Sequence, residues 1–434
     1  MKRFRTITLR ILLSVGLLLV VLFAIALSNS RVERTEHGVH KRLLIPIGVG
    51  NAGFPTYAGT GDAVRIPGFL DGPVVRRSES GEWSASWFCE DRVFSRTGKD
   101  SELFIDCAGK HSVYPVNRIP AESRAVIDPP GKMLVLSDIE GNITFLDKAL
   151  TSLGVTDANG QWQYGRNHLV IAGDAVDRGR DVFPVLWKLY RLSLQASDAG
   201  GAVHVLLGNH EQYMLRGIIS RANHEHLYAL GELGGQAEAF AGDTVIGQWL
   251  RRQPLALKAG KVLITHGGIS PQVAASGMSL EEINSAMVQY WSGAATQSAQ
   301  LDAALGPAGL TQYRGYFEPA EDRYPKASDR DVAQVLERFG VEHIVVGHTQ
   351  VDGVLPFYDG RVWGINVNSN TARPEALLIE DGRLSAVSTG VPRQLDESRA
   401  RRTRAFAVSE SGDWRMLSAL ISSGYAQTRI PHPY

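Results

Sequence analysis

HLVIAGDAVDRG (168–179) opens with a run of apolar residues of strand length and breaks at Gly173-Asp174, with Asp177-Arg178-Gly179 close behind. An apolar run without polar alternation is the pattern of a strand buried on both faces. The same grammar recurs in KMLVLSDIEGN (132–142), AVHVLLGNHE (202–211), KVLITHGG (261–268) and HIVVGHT (343–349). Each run ends in a Gly or small polar residue beside a carboxylate, amide or imidazole. Open α/β sheets place their sites beyond the carboxyl ends of strands. The five loops are therefore expected to bring Asp138, Glu140, Asp174, Asn209, His266 and His348 to one rim.

Those side chains are hard and borderline donors, the set that suits divalent cations. Two such cations about 3.5–4 Å apart acidify water and clamp a phosphoryl group. Taken singly, an Asp at a strand end is an ordinary turn or cap residue. Five spaced segments in this order are more specific than any one of them.

Between the strands run helical patterns: TFLDKALTSLG (144–154), VFPVLWKLYRLSLQ (182–195) and SDRDVAQVLERFG (328–340). Ser279 with Glu282 forms a capping box before INSAMVQYW, and Ser328 and Gly340 mark the start and end of another helix. The βα alternation predicts a layered α/β architecture. Around Asp381-Gly382 the pattern is that of a hairpin.

GDAVDRG (173–179), GNHE (208–211) and HGGISP (266–271) resemble the motifs of the calcineurin-like metallophosphoesterases, in their phosphoprotein phosphatase branch. GQWLRRQPLALKAGKVLITHGG (247–268), YRG (313–315) and GHT (347–349) resemble most the bacterial Shewanella-like phosphatases. The resemblance covers roughly residues 130–385. It implies a two-sheet β-sandwich flanked by helices, and hydrolysis of phosphate monoesters on Ser/Thr or Tyr phosphoproteins or small phosphoesters. It also implies residue roles. Asp138 and Glu140 would hold a first metal, Asp174 would bridge both, and Asn209, His266 and His348 would hold the second. Arg178 and Arg314 would grip phosphate oxygens through the guanidinium fork. His210, oriented by Asp177, would protonate the leaving group.

The first motif departs from the family pattern, with DxE where DxH is usual. Glu140 adds a negative charge and hardens the ligand set, which favours Mn²⁺ or Mg²⁺ over iron or zinc. Two other readings follow from the same residues: a dinucleoside-polyphosphate or nucleotide hydrolase, and a phosphate-binding pseudoenzyme sensor disabled at Glu140. Tyr313 and Tyr316 read as packing residues, and His204, His224, His226 and His343 as core or solvent contacts. Residues 212–246 read as an insertion over the mouth of the site that selects substrate.

Outside this region, Lys2, Arg3, Arg5 and Arg10 precede an apolar run from Ile11 to Leu27, a span or a leader. Ala24-Ile25-Ala26 offers a cleavage pattern, so an inner-membrane anchor and a periplasmic, exported protein both stay open. Residues 130–390 are expected as the catalytic domain outside the cytoplasm, although Arg31, Arg34, Lys41 and Arg42 after the run blunt the positive-inside contrast that would fix the orientation; 1–30 is the signal or anchor, 43–125 a small N-terminal β-rich region and 391–434 a tail. DPPGK (128–132) reads as the boundary before the first ligand strand. RARRTR (399–404) reads as a solvated basic stretch. Cys89 and Cys107 either pair, contributing about 3 kcal/mol, or stay as buried thiols. Lys+Arg and Asp+Glu both total 45, which removes compositional support for nucleic-acid binding. Oligomeric state leaves no signal in the sequence.

Overall fold

The computed structural model describes residues 2–35, 37–39, 41–47, 50–56, 64–291, 298–367, 373–391 and 402–423. The chain divides into two compact units, Met1–Ile66 with Ser398–Pro433, and Pro67–Glu397.

The larger unit is a mixed α/β sandwich of two sheets. One runs in the order Ala202–Leu206, His168–Ala172, Lys132–Leu136, Glu375–Glu380 and Arg383–Ser388; its first three strands are parallel. In the other, Val262–Thr265 lies parallel to His343–Gln350, with Val362–Asn366 and Ala256–Ala259 outside them.

Strand alternation explains why the runs are apolar throughout. Met133, Val135, Val170, Ala172 and Leu206 pack between the sheets against Leu257, Val262, Ile264 and Val345. Their neighbours Leu134, Leu136, Leu169 and Ile171 point the other way, onto the helices Ile143–Ser152 and Val182–Asp198. Leu263, Ile344 and Val346 do the same on the second sheet, under the helices Leu280–Trp291 and Asp329–Phe339. Each fully buried Leu, Ile or Val contributes about 1.5–3 kcal/mol, so both faces demand hydrophobes.

Helix ends follow their capping residues. Ser279 and Glu282 exchange backbone hydrogen bonds of 2.8 and 3.1 Å. Ser328 and Asp331 form a second box, and Gly340 closes that helix at φ 63°. Asp381 and Gly382, both at positive φ, turn the hairpin between Glu375–Glu380 and Arg383–Ser388.

The expected β-rich stretch contributes strands to both units. Leu70–Arg77, Trp83–Cys89 and Arg92–Gly98 form a three-stranded sheet, and Glu102–Cys107 pairs with Lys110–Pro115, all in the larger unit. Val74, Trp83, Leu103 and Ile105 join the core under Val182–Asp198. Asp128-Pro129-Pro130-Gly131-Lys132 links strands within that same unit. Cys89 and Cys107 form a disulfide across it.

In the smaller unit, Arg31–Arg34 lies between Lys41–Ile47 and Arg402–Ala405, and Gly50–Thr56 pairs with the far side of Lys41–Ile47. In RARRTR, read as a solvated basic stretch, the described part Arg402–Arg404 lies in a paired strand; Arg402 and Thr403 are exposed, and Arg404 grips buried Asp413. Charge composition alone hides such pairing. The N-terminal helix Lys2–Ser28 carries a 19-residue apolar stretch, Arg10–Ser28, only 6% buried.

Candidate metal centre

Four of the five ligand-bearing loops leave strand ends as the pattern predicts. The fifth differs, because His348 falls inside the strand His343–Gln350, where the register against Val362–Asn366 shifts. Asp138, Glu140, Asp174, Asp177, Arg178 and His348 all hold left-handed backbone, with φ between 50° and 73°. Residues other than glycine occupy that region at a cost of order 1–3 kcal/mol, and such strain gathers at functional sites.

The loops interlock closely. A Cβ on Gly208 would meet Asp174 Oδ1 at 2.1 Å, and one on Gly173 would meet His266 Nδ1 at 2.5 Å. The glycine of one motif thus makes room for the donor of another.

Asp138, Glu140, Asp174, Arg178, Asn209, His210, Arg314 and His348 line one polar cavity of about 490 Å³. His266 lies fully buried behind it, its Nε2 3.0 Å from both Asp174 Oδ2 and Asn209 Oδ1. Asp177 stands behind His210, with Oδ2 2.9 Å from Nδ1. The fold therefore gathers all ten sequence-selected residues into one neighbourhood.

The donor set fits a cation. Asp174, His266 and His348 each offer a ligand atom within 4.8 Å of the others, the one such group among the described residues. His348 Nε2 is buried without a hydrogen-bond partner. His266 Nδ1 lies 2.9 Å from the Ala172 carbonyl, which orients Nε2 toward Asp174. A metal-binding histidine commonly uses its other nitrogen in this way. Asp138 and Glu140 line the same cavity outside that trio. Asp138 Oδ2 accepts from the His348 N–H at 3.1 Å, and its Oδ1 from Asn366 Nδ2 at 2.8 Å. Glu140 Oε1 lies 3.2 Å from Arg178 Nε.

Electrostatics reinforce the arrangement. Burial works to raise the Asp174 pKa, but His266 and His210 outweigh it and hold the carboxyl below its usual range. For His266, burial is outweighed by Asp174, and the pKa is pushed up to about 9. His210 also ends above its ordinary value, as Asp174 and Asp177 overcome its burial.

Several residues carried no sequence signal strong enough to select them. Glu211 accepts the backbone N–H groups of Gly208 and Asp174 at 2.7 and 2.9 Å, tying two loops together. Burial, then Asp174, pushes its pKa up to about 7. Its place in GNHE was the available hint. Asn366 bridges Asp138 and the His348 carbonyl, while Tyr213, Arg221, Gln312 and Glu318 complete the cavity wall.

Residues 212–246 differ from a simple cover. Met214, Leu230, Ala239, Phe240, Val245 and Ile246 are core, so apolar packing holds most of the segment in place. Tyr213 and Arg221 are its contributions to the cavity. Tyr313 and Tyr316 are buried and pack beside Gly268. His226 pairs with Asp71 at 2.6 Å in the core.

The profile of the calcineurin-like phosphoesterase family matches residues 131–352, and the chain belongs to that family. A crystal structure of a cold-active protein-tyrosine phosphatase from a psychrophilic Shewanella species is 30% identical, with a TM-score of 0.67, covering 77% of this chain and 99% of that one. Among curated relatives, Shewanella-like protein phosphatase 1 of Plasmodium berghei is 24% identical over 236 residues, 51% of this chain and 61% of that protein. Shewanella-like protein phosphatase 2 of Arabidopsis thaliana is 29% identical over 90 residues, 21% of this chain and 23% of that protein. The chain thus spans about three-fifths of the first relative and under a quarter of the second.

Proposed function

We propose that this chain is a metal-dependent phosphomonoesterase, a phosphoprotein phosphatase for Ser/Thr or Tyr phosphoesters, that works with two divalent cations. The observation that carries the reading is the convergence of carboxylates, imidazoles and guanidinium groups on one cavity of about 490 Å³. Asp138, Glu140 and Asp174 would hold one ion, and Asp174, Asn209, His266 and His348 the other. Bound there, divalent ions supply Lewis acidity and neutralise phosphoryl charge. Glu140 makes Mn²⁺ or Mg²⁺ the better match.

The chain's own groups do the rest. Arg178 and Arg314 face the cavity, where their forks can pair with the non-bridging phosphate oxygens. The Arg314 guanidinium also donates to the His348 carbonyl at 3.1 Å, which fixes its position. His210, oriented through Nδ1 by Asp177, can deliver a proton from Nε2 to the leaving oxygen. The Shewanella relative is titled a protein-tyrosine phosphatase, which supports a phosphoprotein substrate. The exposed apolar helix Arg10–Ser28 supports attachment at a membrane or export through one.

The test uses full-length protein in neutral detergent. Turnover of an aryl phosphate is measured after chelation and after each metal is restored, then against phosphotyrosine and phosphoserine peptides and diadenosine polyphosphates. Manganese-restored turnover of phosphopeptides, cut by ~10³-fold or more in Asp174→Asn with the fold intact, is the expected result. Turnover that survives chelation rejects the metal mechanism, and preference for the dinucleotides rejects the phosphatase reading.

A further inference from the structure

The loop that carries Arg178 is clasped by the segment that follows the GNHE helix. The Arg178 N–H donates to the Arg221 carbonyl at 3.1 Å, and Asn223 Nδ2 donates to the Arg178 carbonyl at 3.2 Å. Both contacts use the Arg178 backbone and leave its guanidinium to the cavity. Behind them, Glu225 is 4% exposed and pairs with Arg180 at 3.0 Å. Arg180 lies over the Phe69 ring at 5.3 Å, and buried His226 pairs with Asp71. Residues 221–226 are therefore anchored at several points. The place of Arg221 is set by its backbone, which no substitution of its side chain removes.

That side chain is exposed and lines the same cavity as Asp138, Glu140 and Arg178. The other two arginines of the cavity wall are tethered. Arg178 Nε lies 3.2 Å from Glu140 Oε1, and Arg314 donates to the His348 carbonyl at 3.1 Å. The Arg221 guanidinium has no such tether among the described residues. Glu318, also exposed on the cavity wall, donates its backbone N–H to the Arg314 carbonyl at 3.1 Å. Each phosphate-gripping arginine thus has a charged neighbour docked on its backbone, cationic for Arg178 and anionic for Arg314. A cavity of about 490 Å³ falls in the range that encloses a whole small ligand. A phosphoryl group needs only part of it, so groups beside the phosphate meet these charges.

We propose that Arg221 reads a second anionic group on the substrate, the carboxylate of an acidic residue next to the phosphorylated one, so that acidic phosphopeptides are the preferred class. This rests on the phosphoprotein phosphatase reading above. A guanidinium accepts a carboxylate through two parallel hydrogen bonds, and the clasp keeps this one beside the phosphate grip.

Steady-state kinetics of the full-length, manganese-loaded chain in neutral detergent test this, with an aryl phosphate and with phosphotyrosine and phosphoserine peptides flanked on both sides by Glu, Gln or Lys. Glu-flanked peptides should show about fivefold higher kcat/KM than Gln-flanked ones, the size of an exposed ion pair. The difference should lie in KM and shrink as salt is added. Arg221→Gln should remove the preference, Arg221→Lys should retain part of it, and Arg221→Glu should reverse it in favour of Lys flanks. A fall of equal size for the aryl phosphate and every peptide in Arg221→Gln would give Arg221 a structural role and overturn the proposal. Equal kcat/KM for all three flanks in the unmutated chain would also overturn it, while manganese-dependent turnover of those peptides leaves the phosphatase reading standing. If the aryl phosphate is turned over and no peptide is, the phosphatase reading fails and this one with it.

Discussion

The Cα of Gly208 stands so close to Asp174 that a Cβ there would lie 2.1 Å from Oδ1. Two loops from neighbouring strands meet at this point, and the His210 N–H donates to the same oxygen at 3.0 Å. Gly208→Ala must push the carboxylate aside. Such overpacking costs about 1–3 kcal/mol of stability, and displacing Asp174 should lower the bound-metal content and cut turnover at least ~10-fold. Metal analysis alongside steady-state kinetics checks this; wild-type metal content and turnover would contradict it.

Glu140 and Arg178 are the second coupled pair, with Oε1 3.2 Å from Nε. A carboxylate in place of the usual imidazole holds the guanidinium beside the cavity. Glu140→Gln should loosen Arg178 and raise KM about tenfold through weaker ground-state phosphate binding, and, because Glu140 would also hold an ion, lower bound-metal content and kcat. Combined with Arg178→Ala, it should add little further loss in KM. Fully additive KM effects would show that the two act independently.

His210 owes its raised pKa to Asp174 and to Asp177, against the pull of burial. Taking away the Asp177 charge lowers that pKa. The acid form is then lost at lower pH, so Asp177→Asn should shift the alkaline limb of the kcat–pH profile downward and cut kcat about 10²-fold. An unmoved alkaline limb would remove His210 from the proton-transfer role.

His204 predicts acid sensitivity away from the cavity. Burial, then His168, pushes its pKa down from 6.5 to about 3. Between those values the unfolded chain binds a proton that the folded chain does not. Stability therefore falls as the pH drops through that window, by up to about 1.4 kcal/mol per pH unit from this one group. Denaturant titrations of His204→Leu across the window should show a correspondingly shallower pH slope. An identical slope would mean that His204 already takes its proton in the folded state.

Much of this centre is visible in short segments. GDAVDRG, GNHE and the two histidine loops each carry their chemistry within a few residues, and the apolar runs before them mark strands because both faces must be covered. Asn366 had no such frame. It reaches Asp138 across 228 residues, and an Asn at the end of an ordinary strand looks like any other. Arg221 and Gln312 reach the cavity wall from separate connections, and Arg402–Arg404 found strand partners more than 350 residues upstream.

Periodicity, caps and motif spacing are properties of neighbouring residues, so the chain's own order of side chains was enough to determine the strands, helix ends and donor types. Which donors share a cation, which loop orients which imidazole, and whether a basic stretch is solvated or paired were decided only on folding. Those outcomes depend on hydrogen bonds and close contacts between segments brought together by the burial of two sheets against each other, and no local pattern encodes that packing.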